Sequence, residues 1–250
     1  MQLTNKTILI LGGAGLLGSE FSRMCSAEGA KTIIVDTNKD RGSQLASDIG
    51  GIYINTDITS EKALIALKKT LAKKFGTIDG LVHAAYPRSR NYGASVEKAS
   101  AKELLENIEG LLGGPLISTR TLMPLLSRGA SVIFFSSLYG IASPRFELYK
   151  GTDMIGVPSE YAAAKAGVLG LMLFFAAYLG KRSIRVNTIT PGGILNNQPK
   201  RFVKAYSKKT LIPPGMLSPK DIGGAVVFLL SDSSSKVTGQ NIVIDGGWTL

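Results

Sequence analysis

Thr7-Ile-Leu-Ile-Leu11, followed at once by Gly12-Gly-Ala-Gly-Leu-Leu-Gly18, is the stretch that decides the fold. The five aliphatic and β-branched residues read as a buried strand. Gly13, Gly15 and Gly18 then fall in the spacing Gly-x-Gly-x-x-Gly, and Leu16–Ala27 continues as an apolar-periodic helix. The physical logic is close approach. Without Cβ atoms the backbone can touch a pyrophosphate, and the helix N-terminus supplies free N–H groups and a positive dipole end. A structural turn is the plainer alternative for a lone motif of this kind; the strand before it and the helix after it favour phosphate binding.

Working outward, further β-branched runs recur at Thr32–Asp36, Ile52–Asn55, Gly80–Ala84, Ser131–Ser136, Arg185–Thr190 and Asn241–Ile244. Helical stretches separate them. Strands alternating with helices imply βαβ units, so the sequence predicts an α/β protein: one doubly wound Rossmann domain over 1–250, with a seven-stranded parallel sheet and helices on both faces. A length of 250 residues suits one such core. Ser60-Glu61 opens a helix that Gly76 ends, and Ser218-Pro-Lys-Asp221 starts another running to about Leu230. The segments 86–96, 138–160 and 192–217 are polar or broken by Gly and Pro. They follow strands four, five and six, where ligands of open α/β sheets bind, and are expected to wall the substrate site.

Composition narrows the classes. Hydrophobic residues make up 44%, which argues against disorder. The one cysteine, Cys25, rules out an internal disulfide, and a reducing, cytoplasmic setting is expected. His and Cys are too scarce for a metal site, so no metal is expected. The longest apolar run, Ala166 to Gly180, is shorter than the roughly 20 residues of a membrane span, so no membrane partner is expected. The net charge of +11 admits a solvated basic surface, an anionic small substrate or nucleic acid. No nucleic-acid module is present, which disfavours the last.

Asp36 closes the second strand. A carboxylate there can accept hydrogen bonds from the adenosine ribose and would repel a 2′-phosphate, favouring NAD over NADP; Lys39 and Arg41 pull the other way. Asp57 can meet the adenine edge or simply cap a turn. Tyr161-Ala-Ala-Ala-Lys165 places a phenol and an ammonium on one helix face. The ammonium is expected to lower the phenol pKa and so tune a general acid/base. Ser136 and Ser137 end the fifth strand, where a hydroxyl can hold a reacting oxygen. No Gly-x-Ser-x-Gly elbow accompanies the sole histidine, His83, so a serine hydrolase is not indicated.

These residues, with Arg185-Val-Asn-Thr-Ile-Thr-Pro-Gly192 and Gly239-Gln-Asn-Ile-Val-Ile-Asp-Gly-Gly247, resemble in order the short-chain dehydrogenase/reductase family along essentially the whole chain. The resemblance implies Ser137, Tyr161 and Lys165 as catalytic residues. It implies dinucleotide contacts from Gly12, Gly13, Gly15, Leu17, Gly18, Asp36, Asp57, Ile58, Ala84, Ala85, Lys165, Pro191, Gly192 and Ile194, and a homodimer or homotetramer. Ala85-Tyr-Pro-Arg88, Asn91-Tyr-Gly93, Ser136-Ser-Leu-Tyr-Gly140, Tyr149-Lys-Gly-Thr-Asp-Met154, Pro191–Pro199 and Gly215-Met-Leu217 are similar to a narrower branch, the flagellin-modification oxidoreductases of surface-sugar (legionaminic-type) biosynthesis.

The departures are specific. The family's Asn-Asn-Ala-Gly is here His83-Ala-Ala-Tyr86, its catalytic asparagine aligns with Leu111, Leu16 replaces a loop glycine, and Asn196 replaces a threonine. The segment Ser143–Ser159, which carries Arg145, Tyr149 and Lys150, is longer than the family norm. Basic residues crowd the three loops: Arg88, Arg90, Arg145, Lys150, Lys200, Arg201, Lys204, Lys208 and Lys209. An anionic sugar or sugar nucleotide, contacted by Arg88, Arg145 and Tyr149, is the expected substrate. The competing classes are a non-catalytic NAD-binding regulator and a sugar-nucleotide epimerase.

Overall fold

A computed structural model describes residues 1–89, 92–93 and 95–250. Its strands are β1 (Thr7–Leu11), β2 (Lys31–Asp36), β3 (Ile52–Asn55), β4 (Ile78–His83), β5 (Leu126–Phe135), β6 (Arg185–Pro191) and β7 (Asn241–Ile244). They form one sheet in the order β3-β2-β1-β4-β5-β6-β7, every pair parallel. The order reverses between β1 and β4, the switch point outside whose carboxyl ends such sheets bind ligands.

Helices cover both faces: α1 (Leu16–Ala27), α2 (Lys39–Ile49), α3 (Glu61–Phe75), α4 (Ala101–Ile108), α5 (Gly114–Leu122), α6 (Ser159–Leu179), α7 (Lys200–Ser207) and α8 (Pro219–Leu230). On one face Leu9, Leu81, Val132 and Phe134 meet Leu64, Leu122, Val168 and Phe175. On the other, Ile8, Ile10, Val82 and Ile133 meet Phe21, Ile222 and Val226. Each such side chain, fully buried, stabilises the fold by about 1.5–3 kcal/mol, and together they fix the strand ends that carry the site. A third cluster, Leu138, Leu148, Phe202, Tyr206, Met216 and Trp248, lies among the segments after β5, β6 and β7.

Several boundaries differ from the sequence reading. β5 begins at Leu126 rather than Ser131, because Ser127-Arg-Gly129 breaks the apolar pattern where the β4–β5 register shifts between Ile78 and Gly80. The 192–217 segment is not all loop, since α7 buries Phe202 and Tyr206 within it. α4 and α5 are joined by a π-helical turn, Glu109–Gly113, holding Leu111. α6 starts at Ser159 and, with the turn that follows it to Arg182, contains an 18-residue window of mean hydropathy 1.8 and is long and apolar enough by composition to cross a membrane. Its Val168, Met172, Phe175 and Leu179 nevertheless pack into the sheet core.

Candidate active site

One cavity of about 950 Å³ runs along the carboxyl ends of β1, β2, β4, β5 and β6. The glycine turn forms one wall. Gly12 has φ +73°, and a Cβ there would lie 2.4 Å from Ala85 Cα. A Cβ on Gly18 would lie 2.1 Å from Gly12 O, so α1 can begin only where this residue has no side chain. Gly12, Gly15 and Leu17 line the cavity; Gly13 and Gly18 sit behind it and shape the turn.

Asp36 lines the same cavity from the end of β2. Its Oδ2 accepts from the Ala14 N–H at 3.0 Å and its Oδ1 from the Asn38 N–H at 3.0 Å, so the carboxylate also holds the glycine turn. Each oxygen keeps a lone pair for a ribose hydroxyl. Lys39 and Arg41 do not line the cavity. Asp57 does, and its Oδ1 also accepts from the Thr59 N–H and hydroxyl, so the residue caps the turn while facing the ligand space. Ile58, Ala84, Ala85, Pro191, Gly192 and Ile194 complete this end.

At the other end Ser137, Tyr161 and Lys165 converge on the cavity. The Ser137 hydroxyl hydrogen-bonds Tyr161. Ser136 instead donates to the Lys165 carbonyl at 2.7 Å and ties α6 to the end of β5. Lys165 Nζ donates to Phe135 O at 2.8 Å and lies 5.8 Å from the Tyr161 ring centroid. Burial pulls the Lys165 ammonium down to about 8. The expected lowering of the Tyr161 pKa is not found. Burial pushes the phenol up, the neighbouring Tyr86 and Tyr139 add to the rise, and the Ser137 hydrogen bond opposes it. Loss of hydration outweighs a cation that sits beside the ring.

The substrate end is aromatic. Tyr86 packs edge-on to Tyr161 at 5.8 Å, and its hydroxyl bonds that of Tyr92. The Arg88 guanidinium lies 5.4 Å from the Tyr86 ring and 5.8 Å from the Tyr92 ring. Tyr149 lines the cavity with its hydroxyl 3.0 Å from that of Tyr139. Arg145, expected beside them, is not among the lining residues; it stacks 4.4 Å from the Trp248 ring, a partner that holds a guanidinium by cation–π attraction. Lys150 and Lys200 do not line the cavity either, and Arg201, Lys204, Lys208 and Lys209 face a separate hollow beside Glu147. Helix α7 turns its apolar side to the site and its basic side away. Arg90 and Asn91 lie outside the described residues.

Sequence reasoning missed two features. Tyr86, Tyr92, Tyr139 and Tyr206 line the cavity without having been expected there, although the first three stand in the motifs of the narrower branch. Asn107 on α4 accepts from the Ser89 N–H at 2.9 Å and donates to the buried Glu160 at 3.0 Å, tying the Arg88 loop to the helix that bears Tyr161. Nothing in the local pattern marks this asparagine. Leu111, where the family asparagine was sought, is buried in the π-turn and offers no polar side chain.

The residues present fit an extended dinucleotide: a cradle that any Cβ would fill, a carboxylate at one end and a phenol and ammonium at the other. The family profile described as enoyl-(acyl carrier protein) reductase matches residues 14–249. The chain thus belongs to the short-chain dehydrogenase/reductase family, and it is an oxidoreductase that uses a nicotinamide cofactor. It is 33% identical to post-translational flagellin modification protein A of Campylobacter coli, covering 100% of both chains. It is 31% identical to trans-4-hydroxycyclohexanecarboxylate dehydrogenase of Sinomonas cyclohexanicum, covering 99% of this chain and 94% of that one. A short-chain dehydrogenase from Leptospira borgpetersenii, solved with bound NAD+, superposes with a TM-score of 0.88 at 29% identity, covering 100% of this chain and 94% of that one.

Proposed function

We propose that the protein is an NAD-dependent dehydrogenase or ketoreductase acting on a hydroxyl or keto carbon of an anionic sugar or sugar nucleotide, in the making of a bacterial surface glycan. The observation that carries this reading is the single cavity, with Asp36 at one end, Ser137, Tyr161 and Lys165 at the other, and Arg88 at the mouth. The bound nicotinamide supplies or accepts the hydride. Ser137 holds the substrate oxygen. Tyr161 exchanges a proton with that oxygen, and Lys165 sits where its charge can offset tyrosinate. Because burial keeps the phenol protonated, the ligand-free site is poised to donate a proton, which suits reduction of a ketone. Oxidation needs tyrosinate, so its rate is expected to rise with pH, whereas reduction stays flat through neutrality.

NAD is favoured because Asp36 faces the cavity and the nearby cations do not. The flagellin-modification relative supports a sugar-related role, and the hydroxycyclohexanecarboxylate relative carries a carboxylate in its named substrate. A second reading, a largely apolar ring alcohol, is favoured by the tyrosine-rich wall and by 28% identity to a 7alpha-hydroxysteroid dehydrogenase of Bacteroides fragilis. A cofactor-coupled screen separates the two. Turnover of sugar phosphates or sugar nucleotides with NAD supports the first reading; turnover of steroids alone, or of any substrate with NADP only, overturns it.

A further inference from the structure

His83 is the only histidine of the chain and closes β4 on the floor of the cavity. It lies two residues beyond Leu81, whose side chain packs in the core under α6, so strand alternation puts the ring on that face. The residue is 4% exposed, and Nε2 has no hydrogen-bond partner among the described residues. The backbone of His83 and of Gly114 lies beside the ring and favours an N–H on it. A neutral imidazole carries one proton, so Nε2 presents a bare lone pair in the tautomer that keeps the proton on Nδ1. Burial, then the Lys165 ammonium, hold His83 down at about 3, so the ring is neutral.

A buried acceptor without a donor bears its desolvation cost uncompensated. A donor stands close by. Lys165 has three N–H bonds and uses one on Phe135 O. Phe135 follows Phe134, the register partner of His83, so ammonium and lone pair share one strand end and one cavity. We infer that His83 Nε2 is the acceptor that steers Lys165, taking a hydrogen bond from the ammonium directly or through one bridging water and thereby aiming its remaining N–H toward Tyr161 and the bound dinucleotide. His83 is thus a positioning residue for the reaction proposed above, and the inference rests on that reading.

Nitrogen NMR of the single imidazole tests it without substrate or resonance assignment. In the ligand-free protein at neutral pH the expected signal is the Nδ1–H tautomer, with an Nε2 shift that moves clearly in Lys165→Met. An Nε2–H tautomer, or an Nε2 shift indifferent to Lys165→Met, overturns the inference, and the tautomer decides even where that variant does not fold. In turnover, His83→Gln keeps an acceptor and is expected to hold kcat within about threefold, whereas His83→Leu lowers it about tenfold or more with KM for NAD little changed. Wild-type kcat in His83→Leu contradicts the role. A protein inactive on every sugar would sink the proposed function while leaving the NMR result standing.

Discussion

At the dinucleotide end of the cavity, room is made by leaving side chains out. Gly12 and Gly18 pack so closely on Ala85 and on each other that a single Cβ would collide with backbone. At the substrate end, room is enclosed by adding side chains: Tyr86, Tyr92, Tyr139, Tyr149, Tyr161 and Tyr206 all line it. The first end presents main-chain shape and the carboxylate of Asp36. Among the described residues the second presents hydroxyls, ring faces and one arginine, Arg88. The first is intolerant of any added atom, whereas the second can change partners by exchanging rings. A cofactor common to many enzymes and a substrate particular to one call for that division.

The largest effect that would sharpen this contrast is at Tyr161. Tyr161→Phe removes the proton-transfer group while keeping the ring, so kcat is expected to fall by about 10²–10⁴, with NAD affinity nearly intact by calorimetry. Wild-type-like turnover would refute the mechanism. Next is Gly18→Ala, whose methyl would lie 2.1 Å from Gly12 O. Overpacking of this kind costs about 1–3 kcal/mol, and NAD binding is expected to be lost with it. An unchanged unfolding midpoint and unchanged affinity would show that this end is less rigid than described.

Asp36→Ala is expected to weaken NAD by about tenfold and to narrow its advantage over NADP, since a charged hydrogen bond is worth about 1.5–3 kcal/mol. Equal or tighter binding of NADP by the wild type would remove the basis of the cofactor choice. Arg88→Ala acts only at the opposite end. Its KM for an anionic substrate is expected to rise severalfold, with the NAD dissociation constant unmoved.

The smallest effect concerns His83 and stability. Its pKa lies at about 3 when folded, below the 6.5 of the free side chain. Between those values the unfolded chain binds a proton that the native state does not, so stability falls as pH drops through that window, by about 1.4 kcal/mol per pH unit. His83→Gln removes this contribution. Denaturant titrations from pH 6 to pH 4 should give a shallower loss for the variant; equal slopes would mean that the ring is protonated in the fold.

The dinucleotide end was legible in the sequence because its requirements are local. The strand, the glycine spacing and Asp36 all follow from backbone geometry within one βαβ unit, and the structure places Gly12, Gly15, Leu17 and Asp36 on the cavity. The substrate end depends on which side chains the long segments bring together. Counting cations near strand ends suggested a ring of basic residues. The burial of Phe202 and Tyr206 turns Arg201 and Lys204 outward, and Trp248, from the far end of the chain, captures Arg145. The direction of the Tyr161 shift was misjudged for a related reason. Helical spacing shows that Lys165 is near, but the rise comes from burial and from the neighbouring Tyr86 and Tyr139, which other segments bring together. The Asn107–Glu160 link joins residues far apart in sequence, and periodicity cannot mark it.

The central claim is that one end binds NAD and the other an anionic sugar. The most direct test compares a sugar phosphate with its dephosphorylated partner, using NAD, at rising ionic strength. The account predicts a kcat/KM for the phosphorylated member at least about tenfold higher, falling with salt as exposed charges are screened, and an advantage that shrinks in Arg88→Ala. Equal or better turnover of the uncharged partner, with no dependence on salt, would contradict it and assign the net charge of +11 to surface solvation.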